Sequence, residues 1–284
     1  SLVEKFLKTH AYDVIIFMSD GSIPFLFGKK NILIIQHPIP WVKTSLTSQV
    51  KLKMINTILV YSDFVKQFID HTFNFKSTIL APAVTPIPLT EKPKKNMILT
   101  VGRFTQGMNT KKQAEMIEFF KKFYDAGNKE WEFVLVGATL AENESFITSL
   151  KKSAKGYPIE IVTNAPYQTL LTYYQQAKIY WHAAGIGEDL KKYPERAEHF
   201  GITTVEAMSA GAVPVVIAAG GQPEIVTDGE DGYLWETGKE LIEKTIYLAH
   251  NKQVWQRLSG RAQSRAQDFK PKNFYAELDT IIEQ

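Results

Sequence analysis

Residues 198–217 read EHFGITTVEAMSAGAVPVVI, and they are the most informative segment of the chain. The part from Thr203 to Ala210 predicts a helix that Gly211 ends, and Val213–Ile217 predicts a buried strand. Phe200-Gly201-Ile202 forms the turn before the helix. A glycine turn at a helix N-terminus presents unpaired backbone N–H groups and the positive end of the helix dipole. The stretch therefore predicts an α/β unit with a seat for a phosphate.

The same alternation of helices and apolar strands extends to both sides of this stretch. Apolar strands between helices are typical of a parallel sheet covered on both faces. We interpret residues 96–270 as a complete doubly wound domain and residues 271–284 as a helix that packs back toward the first half. The predicted strands are Met97–Val101, Trp131–Val136, Ile159–Thr163 and Ile179–His182, and the predicted helices are Lys112–Asp125, Glu142–Lys152, Tyr167–Ala177, Glu240–His250, Lys252–Phe269 and Asn273–Glu283.

Residues 1–95 show a shorter version of the pattern. Four strands are few for an independent sheet of this type, so we expect the later part of an α/β domain whose beginning is absent. Residues 82–96 carry four prolines, which is typical of a linker between domains. The predicted strands of this half are Asp13–Met18, Ile32–Gln36, Thr57–Tyr61 and Ser77–Leu80, with helices over Leu2–Lys8 and from Ser62 to His71.

Composition excludes several classes of protein. The chain has no cysteine, which excludes disulfides, thiolate zinc sites and a cysteine nucleophile. Apolar runs such as Ile32–Ile35 are too short to span a bilayer, and residues 1–12 are typical of an amphipathic helix, not of a signal peptide. Residues 1–95 hold 12 lysines and 6 acidic residues, a net charge of +6. This charge would suit an anionic lipid surface or a phosphorylated acceptor, although a solvated lysine-rich surface is the commoner explanation.

Two glutamates flank the predicted phosphate seat. Glu206 lies one turn inside the helix, where its carboxylate could accept hydrogen bonds from both hydroxyls of a ribose. Glu198 lies before the helix, where it could hold the hydroxyls of a sugar. The alternative is that both glutamates only stabilise the start of the helix through its dipole and its cap. The glycine turn between them and the apolar strand that follows favour the ligand-binding interpretation.

Residues 198–225 resemble the signature of retaining glycosyltransferase family 4, the glycosyl transferases group 1, in which two glutamates flank seven residues. Residues 102–104, Gly-Arg-Phe, followed by the lysines at 111–112 resemble that family's Gly-Arg…Lys loop. Residues 180–187, YWHAAGIG, with Tyr193-Pro194-Glu195, resemble a subgroup of the same family. The resemblance implies a GT-B fold, in which two Rossmann-like α/β domains face each other across a cleft, here with a truncated N-terminal domain.

The resemblance also implies roles for single residues. Arg103 and Lys111 would hold the donor diphosphate, with Lys112 as the alternative because the Thr105–Thr110 loop is longer than is usual in the family. His37 would face the donor sugar, unless it is a strand-end histidine satisfied by the backbone. Arg103, Lys111, His37 and Glu198 are thus the expected catalytic residues. The expected donor-binding residues are Gly102, Lys112, Asn164, Ala165, Phe200, Gly201, Ile202, Thr203, Thr204 and Glu206.

Three further features have expected roles. His182 ends a predicted strand, and we expect it to be structural, with lining of the donor site as the alternative. The side chain of His199 is expected to matter little, because the family varies at that position. The turn at Gly220–Glu224 either shapes the floor of the site or only packs its loop.

The sequence contains no Asp-X-Asp motif and no His/Asp/Glu cluster with metal-ligand spacing. The resemblance then implies a metal-independent hexosyltransferase without a cofactor, in which Arg103, Lys111 and the helix near Thr203 neutralise the leaving diphosphate. Its donor would be a UDP- or GDP-sugar, and its acceptor a glycan or a lipid-linked acceptor. The acceptor hydroxyl would attack from the face that the diphosphate leaves, so that the anomeric configuration is retained.

Other functions stay open at this point. A sugar-nucleotide epimerase or a glycan phosphorylase would share the fold, and a catalytically inert fragment would bind sugar nucleotides without turnover. A dehydrogenase is disfavoured because Gly102–Gly107 lacks the Gly-X-Gly-X-X-Gly turn. No nucleic-acid-binding module is recognisable. We expect a cytoplasmic protein, with the inner face of the membrane as the surface that its basic half would contact.

Overall fold

The computed structural model describes residues 2–19, 21–42, 45–107 and 110–284. Within these ranges the chain forms two parallel sheets flanked by helices, with four strands in the first and six in the second. The α/β class that the sequence predicts is confirmed. Two residues of the Thr105–Thr110 loop, Met108 and Asn109, lie outside the described residues.

The first sheet is built from β1 Val14–Ser19, β2 Lys30–Ile35, β3 Thr57–Val60 and β4 Thr78–Ile79, with helices α1 Leu2–Thr9, α2 Leu46–Leu52 and α3 Asp63–Phe73. Its strands are parallel and follow the chain order β1-β2-β3-β4. Helix α3 packs on one face because Val65, Ile69 and Phe73 recur on one side of the helix and are buried. Helix α2 is not predicted from the sequence; it begins where the Ser45 hydroxyl accepts a hydrogen bond from the Ser48 N–H, at 3.1 Å.

The second sheet is built from β5 Lys95–Val101, β6 Glu132–Gly137, β7 Ile159–Thr163, β8 Ala177–His182, β9 Val213–Ile217 and β10 Tyr233–Trp235. Its order is β10-β9-β8-β5-β6-β7. The chain thus builds outward from β5 in one direction through β6 and β7, and in the other through β8, β9 and β10. The pair β5 and β8 is therefore the switch point of the topology, where open α/β sheets bind their ligands at the carboxyl ends of the strands.

Helices cover both faces of this second sheet. On one face the core is rich in aromatic side chains such as Phe120, Phe133 and Trp181. On the other face Val205 and Met208 pack against the strands. The helices are α4 Gln113–Asp125, α5 Glu144–Ala154, α6 Tyr167–Gln176, α7 Ile202–Ser209, α8 Gln222–Ile225, α9 Gly238–His250, α10 Lys252–Ala266 and α11 Pro271–Glu283, with short 3-10 turns at Ala141–Asn143, Pro194–Arg196 and Gln267–Phe269.

Helix α11 returns to the first sheet, as we expect for residues 271–284. Ile281 is buried in a cluster with Ile32 and Leu59 of strands β2 and β3. The Lys30 ammonium also donates hydrogen bonds to the Ile281 and Ile282 carbonyls, at 2.5 and 2.9 Å. A lysine that binds the last carbonyls of a helix stabilises the C-terminus of that helix, so this contact holds α11 against the first sheet.

The proline-rich segment 82–96 is packed, which differs from the solvated linker that its composition predicts. Val84 and Ile87 are buried in the core of the second half. The Val84 N–H donates to the Phe269 carbonyl at 2.8 Å, and the Ile87 N–H donates to the Ser209 hydroxyl at 2.9 Å. Strand β5 already begins at Lys95. Alternating apolar side chains between the prolines explain why this segment follows the surface of the second half.

None of the helices in the described ranges has the length and the apolar run needed to cross a bilayer. Helix α1 has the amphipathic pattern expected for residues 1–12, and none of its residues is buried. Contact of the basic first half with a membrane stays a prediction.

Candidate functional site

A cavity of about 520 Å3 lies between the two halves, at the carboxyl end of β5. Its position next to the switch point is the one that the fold favours for a ligand. Among the residues that the sequence singles out, it brings together His37, Arg103, Lys111, Glu198 and the start of helix α7. The lining residues are Gln36, His37, Tyr61, Val101, Gly102, Arg103, Lys111, Glu198, His199, Phe200, Gly201, Ile202 and Thr203.

Glu198 is held by two side chains on one wall of the cavity. The Lys111 ammonium and the His182 Nε2 both lie 2.7 Å from its Oε2 atom. Burial raises the pKa of Glu198, but the charge of Lys111 and the hydrogen bond from His182 outweigh it, so that the pKa lies well below its usual range. Glu198 is therefore an anion whose second oxygen, Oε1, accepts no hydrogen bond from the described residues. That oxygen can accept a hydrogen bond from a ligand hydroxyl.

Lys111 and Lys112 point in different directions. The stem of Lys111 lies across Gly102, where an added Cβ would come within 2.7 Å of the Lys111 Cγ. Its ammonium faces the cavity. The ammonium of Lys112 instead lies 2.6 Å from Glu188, and Lys112 does not line the cavity. Of the two lysines that the sequence leaves open, Lys111 is the one that the structure places at the site.

Arg103 adds a second cation to the cavity. It follows β5 and is exposed, and its guanidinium has no hydrogen-bond or ion-pair partner among the described residues. Its backbone is fixed, however, because the Gln113 side chain donates to the Arg103 carbonyl at 2.9 Å. A free guanidinium on a fixed backbone is suited to a bidentate contact with an anion.

The start of helix α7 forms the floor of the cavity. Gly201 has φ +127, and a Cβ at this position would lie 2.6 Å from the Gln222 Nε2 atom, so a larger residue would be strained there. The Thr203 hydroxyl accepts a hydrogen bond from Tyr180 at 2.7 Å, and Thr204 donates to Gln222 at 3.0 Å. The Thr204 N–H donates to the Gly201 carbonyl at 2.9 Å, so the N–H groups of Ile202 and Thr203 are the ones that an anion in the cavity can bind.

The loop at Gly220-Gly221 supports this floor. The Gly221 N–H donates to the Glu198 carbonyl at 2.8 Å. Helix α8 follows at once, and its buried Gln222 reaches Thr204. Of the two readings of this turn, the structure favours the one in which it shapes the site, because it holds the backbone that carries Glu198.

Glu206 lies one turn inside α7, outside the residues that line the cavity. Its Oε2 accepts a hydrogen bond from the Tyr174 hydroxyl at 2.7 Å. Burial raises the pKa of Glu206, and the Tyr174 bond only partly offsets this. Its other oxygen has no hydrogen-bond partner within the described part of the chain. One carboxylate oxygen is thus fixed and the other is free to bind a hydroxyl.

Three other expected donor-binding residues also lie outside the cavity lining, namely Asn164, Ala165 and Thr204. Asn164 follows β7, two strands from β5, which places it about 10 Å along the same edge of the sheet. Its side chain binds both the N–H and the carbonyl of Thr139, at 2.9 and 3.2 Å. Asn164 therefore fixes two neighbouring loops, and a ligand would have to extend along the edge to reach its backbone.

The first half supplies Gln36, His37 and Tyr61, which lie at the carboxyl ends of β2 and β3. The Gln36 amide donates to the Tyr61 hydroxyl at 2.9 Å. The His37 ring stacks on His199 with 5.7 Å between ring centroids. Burial lowers the pKa of His199 to about 4, and the nearby charge of Glu198 offsets only part of this. His199 is consequently neutral at pH 7, and its ring supports His37 from across the cleft, in contrast with our expectation that it matters little.

The sequence does not single out Gln36 and Tyr61, which line the cavity. Both missed residues follow buried strands, and that position is the only local signal for them. His182 is structural in that it is buried, yet it also binds Glu198 directly. Within the described ranges, no group of three or more metal-ligating side chains is present.

The chain matches a known protein family in sequence. A family model described as glycosyl transferases group 1 matches residues 86–265, which is more than half of the chain. The chain belongs to the glycosyl transferases group 1. The resemblance carried by the Gly-Arg…Lys loop and by the two glutamates is thereby confirmed.

Two proteins that match the chain in sequence are distant relatives. The trehalose synthase of Pyrococcus horikoshii is 26% identical over 186 residues, which cover 64% of this chain and 41% of that protein. An alpha-1,3/1,6-mannosyltransferase of Dictyostelium discoideum is 25% identical over 241 residues, which cover 81% of this chain and 54% of that protein. The chain thus spans about half, or less, of the length of these relatives.

Two solved structures share the fold of this group 1 chain over nearly all of its length. A glycosyltransferase from Rickettsia africae has a TM-score of 0.78 at 16% identity, over 99% of this chain and 79% of that one. Anabaena HepE in complex with UDP has a TM-score of 0.77 at 14% identity, over 99% of this chain and 81% of that one. The expected GT-B fold, with two α/β units that face each other across a cleft, is confirmed.

Proposed function

We propose that this chain contains the donor site of a retaining glycosyltransferase that uses a nucleotide-diphosphate sugar. The observation that carries the proposal is the convergence of Arg103, Lys111 and the N-terminus of α7 on one cavity at the switch point. A diphosphate carries the charge that two cations and a helix N-terminus neutralise. Membership of the glycosyl transferases group 1 supports a sugar as the group transferred.

The two glutamates bind the two sugar units of the donor, the ribose and the transferred sugar. Glu206, whose Oε2 is fixed by Tyr174, binds the ribose hydroxyls with its other oxygen. To reach Glu206, the donor extends from the cavity past the start of α7. Glu198 stays ionised and holds the hydroxyls of the transferred sugar with Oε1. The backbone at Asn164 and Ala165 faces the base. A donor in this position lies along the carboxyl edge of the second sheet.

The reaction then needs no protein nucleophile. The bond between the anomeric carbon and the diphosphate oxygen breaks while the acceptor oxygen bonds to the same carbon from the same face. The acceptor's proton passes to the departing diphosphate oxygen. Arg103, Lys111 and the α7 N–H groups stabilise the negative charge that develops there, which is the role that a metal has in other transferases. His37, supported by His199, faces the sugar from the first half.

The relatives indicate only the class of nucleotide in the donor and the class of the acceptor. A structural neighbour, Anabaena HepE, binds UDP, and one relative is named as a GDP-mannose-dependent alpha-1,2-mannosyltransferase from Caenorhabditis elegans. These names support a UDP- or GDP-sugar as the donor. An acceptor hydroxyl on a glycan or on a lipid-linked sugar fits the same relatives. The expected cytoplasmic location stays a prediction.

Calorimetric titration with UDP and with GDP tests the donor site. We expect at least one of the two to bind, and Arg103→Ala and Glu206→Ala each to weaken it about tenfold, because each removes a contact with a charged group. Arg261→Ala, on the exposed side of α10, is the matched control and should bind like the wild type. Binding of neither nucleotide, or equal binding by all variants, would refute the assignment. A transfer assay with the matching sugar nucleotide then separates a transferase from a chain that only binds the donor.

A further inference from the structure

Lys112 has an unusual backbone conformation directly beside the site. Its φ is +58 and its ψ is +38, in the left-handed region, where it forms the N-cap position of α4. The other described residues with positive φ, apart from glycines, are Asn74 and Asn164. Asparagine tolerates this conformation well, whereas a lysine adopts it at a cost in free energy and only when its surroundings hold it there.

A network of ion pairs holds the Lys112 side chain. Its ammonium lies 2.6 Å from the Glu188 Oε1, and the Arg196 Nη1 lies 2.8 Å from the Glu188 Oε2. Only 11% of the Lys112 side chain and 14% of the Glu188 side chain are exposed. The Arg196 guanidinium also stacks on the Tyr193 ring, 4.1 Å from its centroid. Glu188 is thus bound on both oxygens and joins the loop before Glu198 to the start of α4.

The bend at Lys112 sets the direction of Lys111. Rotation about the N–Cα bond of Lys112 would move Lys111 relative to α4. The start of α4 is itself fixed, because the Gln113 side chain donates a hydrogen bond to the Arg103 carbonyl. With the left-handed bend, Lys111 lies over Gly102 and reaches Glu198 at 2.7 Å. With ordinary right-handed backbone at Lys112, the Lys111 ammonium would leave this position.

We propose that Glu188 is a positioning residue for the donor site: it holds Lys112 in the left-handed conformation and so directs Lys111, and not Lys112, toward the diphosphate. This inference rests on the proposed function for its effect on nucleotide binding, but not for its effect on Lys111 itself. Glu188 also pairs with Lys112 outside the cavity lining, whereas Lys111 pairs with Glu198, which lines the cavity. Glu188 lies outside the cavity lining and acts only through its neighbours.

The first test reads the position of Lys111 without any nucleotide. Glu188→Gln keeps the shape of the side chain and removes its charge. We expect acetylation of Lys111, followed by mass spectrometry, to become several-fold faster in this variant, because its ammonium leaves Glu198. Lys66, which pairs with Asp70 in the first half at 2.6 Å, is the internal reference and should react at an unchanged rate. An unchanged rate at Lys111 would overturn the proposal, whether or not the chain binds nucleotides.

The second test separates backbone conformation from charge. We expect Glu188→Gln to weaken the binding of UDP or GDP about tenfold, since small displacements of a charged ligand-binding group are costly. A second change, Lys112→Asn or Lys112→Gly, should restore most of this affinity, because both residues adopt positive φ readily. Lys112→Met, which removes the same charge but disfavours the bend, should not restore it. Equal rescue by methionine would show that the charge of Lys112, which also lies 3.8 Å from Glu115, matters and not the bend, and would overturn the proposal.

Failure of this inference is distinguishable from failure of the proposed function. If the wild type binds neither nucleotide, the donor-site assignment fails while the acetylation result still decides the role of Glu188. If the wild type binds a nucleotide and Glu188→Gln binds it equally well, the positioning role fails and the donor site stands.

Discussion

The two halves of the chain contribute to the cavity in different ways. Ten of its thirteen lining residues come from the second half and three from the first. In the second half, strands β5, β8 and β9 are buried on both faces, and the site residues are tied to one another. In the first half, strands β2 and β3 are also largely buried, and the residues that follow them are Gln36, His37 and Tyr61. The second half thus supplies the charged side chains Arg103, Lys111 and Glu198 of the cavity.

The first half reaches the site through contacts across the cleft. The Ser62 hydroxyl caps α3 and also donates to the His199 carbonyl, at 2.5 Å. The Glu224 carboxylate accepts the N–H groups of Asp63 and Phe64, at 2.7 and 2.9 Å. A carboxylate of the second half thus serves as a cap for a helix of the first. We therefore expect loss of a cation in the second half to weaken binding of the diphosphate, and loss of His37 in the first half to slow transfer of the sugar.

The largest effect is expected for Lys111→Met. Loss of this ammonium removes one cation from the diphosphate and leaves Glu198 half-buried with only His182. We expect the affinity for UDP or GDP to fall about 100-fold and the free energy of unfolding to fall by about 2 kcal/mol. Titration calorimetry and urea denaturation measure the two effects. Lys66→Met, which breaks an ion pair in the first half, is the control, and a loss of nucleotide affinity in that variant would remove the contrast between the halves.

An intermediate effect is expected for His37→Ala, and on a different quantity. In the proposed donor site His37 faces the sugar from the first half, so we expect the rate of sugar transfer to fall about tenfold while the affinity for the free nucleotide changes by less than about threefold. Initial rates at saturating donor, beside a titration with the nucleotide alone, measure both. If nucleotide binding were lost as in Lys111→Met, the first half would contact the diphosphate and the division of roles would be wrong.

The smallest effect is the pH dependence that comes from His199. Its pKa of about 4 in the folded chain lies below the ordinary value of 6.5, so the unfolded chain binds a proton that the folded chain does not. This contribution to stability is complete above pH 6.5 and is lost as the pH falls toward 4. Between pH 7 and pH 5.5 we expect it to lower the free energy of unfolding by about 1 kcal/mol.

Denaturation of His199→Gln at the two pH values checks this contribution. The variant should lose less stability than the wild type on acidification, by the amount given above. His71→Gln, at an exposed position in α3, should behave like the wild type. Identical pH dependence in all three proteins would mean that the His199 ring is not held neutral against His37.

The sequence predicts the second sheet well because its strands are local and unambiguous. Each of β5, β6, β8 and β9 is a continuous apolar run between helical segments. Strand β10 and helix α2 are missed, since three and seven residues give too little periodicity. Helix α10 ends at Ala266, three residues before the predicted end at Phe269, because the last turn tightens into a 3-10 helix. The packed segment 82–96 differs for another reason, because burial of Val84 and Ile87 depends on distant helices.

The sequence predicts those parts of the site whose residues lie close together along the chain. The glycine turn, the two glutamates and the Gly-Arg…Lys loop are such local patterns. Neighbouring residues do not show which of Lys111 and Lys112 faces the cavity, because this depends on the contact of Lys112 with Glu188, which is distant along the chain. The role of His182 likewise depends on its hydrogen bond to Glu198. Contacts between distant residues thus decide which of several similar side chains faces the cavity.

A crystal structure of this chain with UDP or GDP bound would show directly whether the cavity is the donor site. We expect the diphosphate at the N-terminus of α7, with its oxygens about 3 Å from the Lys111 ammonium and from the Arg103 guanidinium. We also expect the ribose hydroxyls to contact Glu206. A nucleotide bound elsewhere, or one in this cavity whose diphosphate contacts neither cation, would show that the donor site is assigned wrongly.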